Sequence, residues 1–341
     1  MNNLLPEFKF RKVGIFGASG LIGKYLIKYL LNHTKIPNLQ IIGFCHSKSS
    51  KKQLTQEFYP FKKIVSFRTQ DILKNIRFKT EAYLPFDLVI NAASPADPIS
   101  YSCNPIGVLL TNTLGTKNIL EWILRSNYET TRFVYISSGE VYGNLLNNKN
   151  GFSETDLCFI NSLESRSCYP VGKIAAENLC ISYWKKYGLH TYIARLCHTY
   201  GPTISENNTR ADAQFLRRAL AGLPIIMKSS GEQIRSYCYV EDACTAILKI
   251  ATKGIPGHAY NVSNRNCVVS VREFAETMAR IAQVNIQYDK PDTLEFSGFS
   301  KVPKAILNPS KLESLGWSPK FSLEEGISIC LTTNATKPTS N

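Results

Sequence analysis

KVGIFGASGLIGKYLIKYLLNH, residues 12–33, decides how this chain folds. KVGIFG (12–17) is a short β-rich run, and LIGKYLIKYLLNH then repeats apolar residues at helical spacing. Between them, GASGLIG (17–23) sets Gly17, Gly20 and Gly23 at the corner. Missing side chains there permit a tight turn and a close backbone approach, and the helix N-terminus attracts a pyrophosphate. A strand–glycine–helix corner therefore predicts dinucleotide binding, with Gly17, Ser19, Gly20, Leu21 and Ile22 as the first expected cofactor contacts.

Further strands are expected at LQIIGFC (39–45), KIVSF (63–67), FDLVINAA (86–93), TRFVYIS (131–137) and HTYIARLC (190–197). Two amphipathic segments, PIGVLLTNTLGTKNILEWILRS (105–126) and ESRSCYPVGKIAAENLCISYWKKYG (164–188), each read as one long helix. Strands that are apolar almost throughout, alternating with helices, imply a parallel sheet covered on both faces. The expected fold is α/β, a Rossmann-type doubly wound parallel sheet with a smaller C-terminal α/β substrate-binding lobe. After residue 198 the rhythm shortens, with helices expected at 210–221, 240–252 and 270–283. Residues 1–197 are assigned to the dinucleotide-binding domain, 198–330 to a lobe interleaved with it, and 331–341 to a flexible tail.

Composition narrows the function. Apolar residues make up 44% and charged residues 19%, as in ordinary globular proteins. No apolar run reaches the roughly 18 residues of a membrane span. The opening MNNLLPEFKFRK has no charged-then-apolar leader pattern, and the ten cysteines show no CxxC pair, so reduced thiols and a cytoplasmic location are expected. The net charge of +14 is dispersed apart from HSKSSKK (46–52), without aromatic interleaving or zinc-finger spacing. Nucleic acid and membrane are excluded as expected partners, no metal site is expected, and a diphosphate-bearing substrate and cofactor fit the charge.

The end of the second strand should carry the ribose contact. It reads Cys45-His46-Ser47-Lys48, with no acid to bond the 2′-hydroxyl of NAD. The cofactor is thus NAD or NADP, and His46 and Lys48 lean the choice to NADP. Asp71 and Ile72 follow the third strand, where a carboxylate could accept from an adenine amino group or cap a helix. Tyr169 and Lys173, four apart in a helical pattern, share one face. A lysine ammonium beside a phenol is expected to lower the tyrosine's pKa.

Taken together, GASGLIG, NAASPADP (91–98), NTLGT (112–116), SSGEVYG (137–143), YPVGK (169–173), HTYGP (198–202), GEQIRSYCYVED (231–242) and LNPSKLESLGW (307–317) carry a resemblance. The chain resembles extended short-chain dehydrogenases/reductases that act on nucleotide sugars, the NAD-dependent epimerase/dehydratase family. It is most similar to UDP-glucuronate decarboxylases and sugar-nucleotide 4,6-dehydratases. The resemblance implies that Tyr169 takes the proton from the sugar C4 hydroxyl while hydride passes to the nicotinamide. Lys173 would hold the nicotinamide ribose, Ser138 would hydrogen-bond the reacting oxygen, and Glu140 would act as acid or base near C5 and C6. Ala92, Ala93, Ser94 and Asn112 would line the cofactor, and Pro95, Gly139, His198, Arg210, Arg235 and Lys304 the substrate. Arg235 would meet the diphosphate with its planar fork.

Three departures bear on the reaction. Gly139 replaces an Asp carried by dehydratases, Lys304 stands where decarboxylases have Arg, and His198 replaces the more common Asn. A keto intermediate at C4 followed by decarboxylation or dehydration is the expected chemistry, with a C4 epimerase as the alternative. An idle dinucleotide-binding scaffold or sensor is the alternative of another class. A homodimer through residues 105–126 and 164–187 is expected from the resemblance.

Overall fold

The computed structural model describes residues 8–33, 36–76, 85–126, 129–144, 151–157, 159–205, 207–300 and 302–335. Cys158 and residues 336–341, the end of the expected tail, lie outside the described residues. Strands β1 (Lys12–Phe16), β2 (Gln40–Cys45), β3 (Val65–Thr69), β4 (Leu88–Asn91), β5 (Arg132–Ser138), β6 (His190–Leu196) and β10 (His258–Val262) form one sheet. Their order is β10-β6-β5-β4-β1-β2-β3, and every neighbouring pair is parallel.

Alternation along the strands explains why helices cover both faces. Val13, Ile15, Leu88, Ile90, Val134 and Ile136 point into one core, with Leu26, Ile27 and Leu30 of α1 (Leu21–His33) and Ile247 and Leu248 of α8 (Val240–Lys253). Phe16, Val89, Phe133 and Tyr135 point into the other, against Ile119, Leu120 and Ile123 of α5 (Leu114–Leu124) and Ala176, Cys180 and Tyr183 of α6 (Cys168–Tyr187). A period of two therefore builds two cores from one strand set. The order reverses between β1 and β4, and this switch point opens a crevice at the strands' carboxyl ends.

The segment 105–126 is not one helix. Residues 98–124 fold as α3 (Pro98–Cys103), α4 (Pro105–Asn112) and α5, separated at Asn104 and Thr113. The Asn104 side chain accepts from the Gly107 N–H and so caps α4, and Pro105 fits the first helical position. The Thr113 hydroxyl donates to the Leu109 carbonyl one turn back at 2.9 Å, a bond that bends helices.

Between β2 and β3 runs α2 (Lys48–Glu57). The second half adds β7 (His198–Tyr200), α7 (Ala211–Leu220), β8 (Ile225–Met227), β9 (Ile234–Tyr239), β11 (Val268–Ser270), α9 (Val271–Ala282), β12 (Ile286–Tyr288), α10 (Thr293–Gly298), β13 (Lys304–Ala305), α11 (Ser310–Glu313) and α12 (Leu323–Ala335). Strands β11, β9, β13 and β7 form a small second sheet, whereas β10 returns to the main one. Residues 331–335, assigned to the tail from the sequence, complete α12, whose Ile327 and Cys330 are buried in the core. Among the described residues no helix is long and apolar enough to cross a membrane.

Candidate functional site

The glycine corner is built as its residue types require. Gly17 has φ +76°, a conformation costly for other residues, and a Cβ there would stand 2.6 Å from the Ala92 carbonyl. A Cβ on Gly23 would overlap the Gly17 carbonyl oxygen. Gly20 differs, since a Cβ there would meet only that same oxygen, at 3.4 Å, and would project into open space. Gly20, Leu21 and Ile22 line a cleft of about 320 Å³ together with Ala92, Ser94, Pro95, Ser138, Gly139, Glu140, Tyr169, Lys173, His198 and Arg210. Ser19 is exposed on the same corner. A turn whose glycines leave this gap ahead of a 13-residue helix fits the pyrophosphate of a dinucleotide.

Several expected contacts lie outside this cleft. Ala93 packs against the second core, and its N–H donates to the Asn91 side chain. Asn112 is fully buried: it accepts from Ser94 Oγ at 2.9 Å and from the Tyr135 hydroxyl at 3.2 Å, and donates to the Val108 carbonyl. It fixes Ser94 instead of lining the cleft. Asp71 Oδ1 accepts from the Leu73 N–H, and the buried Ile72 side chain packs on Gly115. His46 and Lys48 are exposed at the end of β2, and Lys48 borders a shallow groove with Lys51, Lys52 and Arg68. Lys304 is also exposed, whereas its neighbour Ala305 lines the cleft.

Beside the corner, β5 ends in Ser137 and Ser138, and a single 3₁₀ turn (Gly139–Tyr142) carries Glu140 onward. The Ser138 hydroxyl accepts from the Glu140 N–H at 3.2 Å, and Ser138 and Tyr169 line the same cleft. Tyr169 and Lys173 are buried on α6. The Tyr169 ring lies on Tyr101 with centroids 4.9 Å apart. Lys173 Nζ donates to the Ile136 carbonyl at 2.7 Å and stands 5.5 Å from the centre of the Tyr169 ring.

Electrostatics correct one expectation. Burial and the Glu140 carboxylate push the Tyr169 phenol up to about 12, against the pull of the Ser138 hydroxyl, Arg210 and Arg166. Lys173 does not reverse this, and burial drives its own pKa down to about 7, with Glu177 opposing. His198 is held well below its ordinary value by burial and by Arg235, Arg210 and Arg166, so its imidazole is neutral at neutral pH.

Two residues escaped the sequence reading. Arg166, three before Tyr169, grips Glu140 at both ends, Nη1 to Oε2 at 2.5 Å and Nη2 to Oε1 at 3.0 Å. Tyr101 lies under both the Arg166 guanidinium, 4.9 Å from the ring centre, and the Tyr169 ring. An arginine one turn ahead of the tyrosine was the available signal for the first; nothing local marks the second. Arg235 is buried, and its guanidinium donates to the carbonyls of Ile234, Val302 and Pro303. It borders two adjoining cavities together with Glu140, Arg166 and His198. Among the described residues no group of His, Cys, Asp and Glu side chains could hold a metal ion.

A parallel sheet with a glycine-cornered first unit, facing a buried serine, tyrosine and lysine, defines the class: enzymes of the short-chain dehydrogenase/reductase architecture. Residues 13–263 match the NAD dependent epimerase/dehydratase family, and the chain belongs to it. It is 28% identical over 318 residues to UDP-glucuronic acid decarboxylase 6 of Arabidopsis thaliana, covering 93% of this chain and 87% of the relative. The dTDP-glucose 4,6-dehydratase of Bacillus anthracis has the same fold, with TM-score 0.78 and 21% identity over 96% of this chain and 97% of the other. So does the UDP-glucose 4-epimerase of Thermotoga maritima, with TM-score 0.78 and 23% identity over 94% and 97%.

Proposed function

We propose that this enzyme oxidises C4 of a nucleotide-linked uronic acid and decarboxylates the resulting keto acid. The observation that carries the choice is the supply of carboxylates at the cleft. Asp97 is occupied as the cap of α3, accepting from the Ser100 N–H and hydroxyl and from the Thr209 hydroxyl. Glu140 is the other carboxylate lining the cleft among the described residues. Dehydration across C5 and C6 needs a base for the C5 proton and an acid for the departing hydroxyl. Decarboxylation needs neither at the start, because the electrons come from the breaking C5–C6 bond. One proton delivered to C5 completes it. Gly139 adds no acid, and a Cβ there would press on the Leu307 methyls at 3.0 Å.

The residues divide the work. Gly17, Gly20, Leu21 and Ile22 would hold a nicotinamide dinucleotide, with Ala92 and Ser94 along its length. That group, when bound, accepts the C4 hydride and later returns it. Ser138 lines the cleft with Tyr169 and would hydrogen-bond the reacting oxygen, and the C4 proton leaves through the Tyr169 hydroxyl. Glu140, held by Arg166, relays the proton that reaches C5. His198, neutral beside three arginines, lets the cations face the substrate's anionic groups. Resemblance to the decarboxylases supports the substrate class, and the lack of an acid after β2, with Lys48 at the start of α2, supports NADP over NAD.

The test is incubation of the purified protein with UDP-glucuronate, UDP-glucose and dTDP-glucose, read by mass spectrometry. A loss of 44 mass units from the uronate, the mass of CO2, is expected. Loss of 18 from a glucose nucleotide, the mass of water, would mean dehydration, and inverted stereochemistry at constant mass would mean epimerisation. Either result, without CO2, refutes the proposal. Fluorescence titration with NADH and NADPH decides the cofactor, with NADPH expected to bind more tightly.

A further inference from the structure

A uronate carries a negative charge at C6 in addition to its diphosphate, and the cleft must meet it. Lys304, the sequence candidate, is exposed and outside the cleft. Of the cations nearer by, Lys228 is bound to Glu295, and Lys173 and Arg235 donate to backbone carbonyls. Arg166 is different. Its terminal nitrogens are taken by Glu140, but its Nε–H is buried and has no hydrogen-bond partner. Arg210 repeats the pattern: Nη2 donates to Asp212 and to the Thr199 carbonyl at 2.7 Å each, and Nε–H is buried without a partner.

Both guanidiniums border one cavity of about 190 Å³, which Glu140, His198 and Tyr101 also line. Buried donors are almost always satisfied, so two unpartnered N–H groups on residues that line one cavity point to an oxygen-bearing ligand. We propose that Arg166, with Arg210 beside it, recognises the C6 carboxylate of the substrate through Nε–H while Glu140 retains the terminal nitrogens; this rests on the nucleotide-uronate reading above. The arrangement suits the reaction. A free cation would stabilise the carboxylate more than the transition state, in which its charge is moving into the sugar. A guanidinium already neutralised by Glu140 supplies a directed hydrogen bond with little net charge, so CO2 departs without leaving a full counter-ion behind.

The experiment uses NADP-loaded protein carrying Tyr169→Phe, which stops turnover, and measures Kd for UDP-glucuronate and UDP-glucose. Arg166→Lys keeps a positive charge for Glu140 but has no Nε–H. The parent is expected to prefer the uronate. Arg166→Lys should weaken UDP-glucuronate binding about tenfold, the scale of one hydrogen bond to a charged group, and leave UDP-glucose within about twofold. Arg210→Lys should do the same more weakly. Unchanged discrimination in Arg166→Lys overturns the inference, as does equal loss of both ligands, which would mean that Arg166 acts only by shaping the site. A parent without uronate preference also overturns it. An Arg166-dependent preference in an enzyme that releases no CO2 would support the carboxylate site and refute decarboxylation alone.

Discussion

Replacing Lys173 by Met should make the protein more stable and inactive, with a stability gain that depends on pH. Burial lowers the Lys173 pKa from 10.5 to about 7. At about 1.4 kcal/mol per unit, holding this proton in the folded state costs about 5 kcal/mol well below pH 7. In the unfolded chain the lysine stays protonated up to about pH 10, whereas the folded one loses its proton near 7. The unfolded state therefore binds more protons across that window, and this group makes stability rise with pH. By pH 9 only about 2 kcal/mol of the cost remains. Methionine has similar length and no charge, but it gives up the 2.7 Å bond to the Ile136 carbonyl, worth about 1–2 kcal/mol. The variant should thus exceed the wild type by about 3 kcal/mol at pH 6 and roughly match it at pH 9. Urea denaturation of both proteins, cofactor-free, at pH 6, 7.5 and 9 measures the gap. A gap that stays constant with pH would refute the reasoning, because a packing effect alone carries no proton linkage.

Three other substitutions test separate parts of the site. Glu140→Gln removes the carboxylate that, after burial, does most to raise the Tyr169 pKa. C4 oxidation, followed as transient reduced-cofactor absorbance, should persist and its pH profile should move to lower pH, while C5 protonation and the return of the hydride stop; normal turnover would show that Glu140 is no reagent. Gly20→Ala should leave the melting temperature within a few degrees yet weaken dinucleotide binding about tenfold or more, because its Cβ enters the cleft and not the core. Gly23→Ala, whose Cβ overlaps the Gly17 carbonyl, should instead lower stability by about 1–3 kcal/mol; equal effects in the two variants would contradict this division. Finally, Ile106, Leu110 and Leu114, exposed at 71, 40 and 38%, form an apolar stripe from α4 into α5. If this face joins two copies, Ile106→Asp with Leu110→Lys should convert a dimer to monomer in light scattering, and an unchanged mass would place the contact elsewhere.

What could be read in advance follows from how local each signal is. The sheet and its glycine corner were legible because strand alternation, helical spacing and positive φ are properties of a few adjacent residues. The same holds for Ser138, Tyr169 and Lys173, which neighbouring elements deliver to one cleft. Asn112 of NTLGT shows what a motif leaves open: α4 ends against β5, so its amide spans Ser94 and Tyr135 and does not line the cleft. Lys304 fails for a reason of register. In a strand one residue decides the face, and here it is Ala305 that turns inward.

The step after C4 oxidation was the least legible, because it depends on charges from segments far apart in the chain. Glu140 follows β5, Arg166 precedes α6, and Arg210 precedes α7, yet after burial all three act on the Tyr169 pKa, Glu140 raising it and the arginines lowering it. With 40 lysines and arginines in the sequence, no local pattern singles out the one that closes on Glu140. That pairing limits Glu140 more than its motif does. Gripped at both oxygens by one guanidinium, that carboxylate is held at a single place beside the cleft. It can therefore serve one of the two positions that dehydration requires, base at C5 or acid at C6, whereas decarboxylation asks only for a proton at C5. This division between the two carboxylate roles is why the ion pair, and not the tyrosine–lysine pair shared with epimerases and dehydratases alike, bears on which reaction follows.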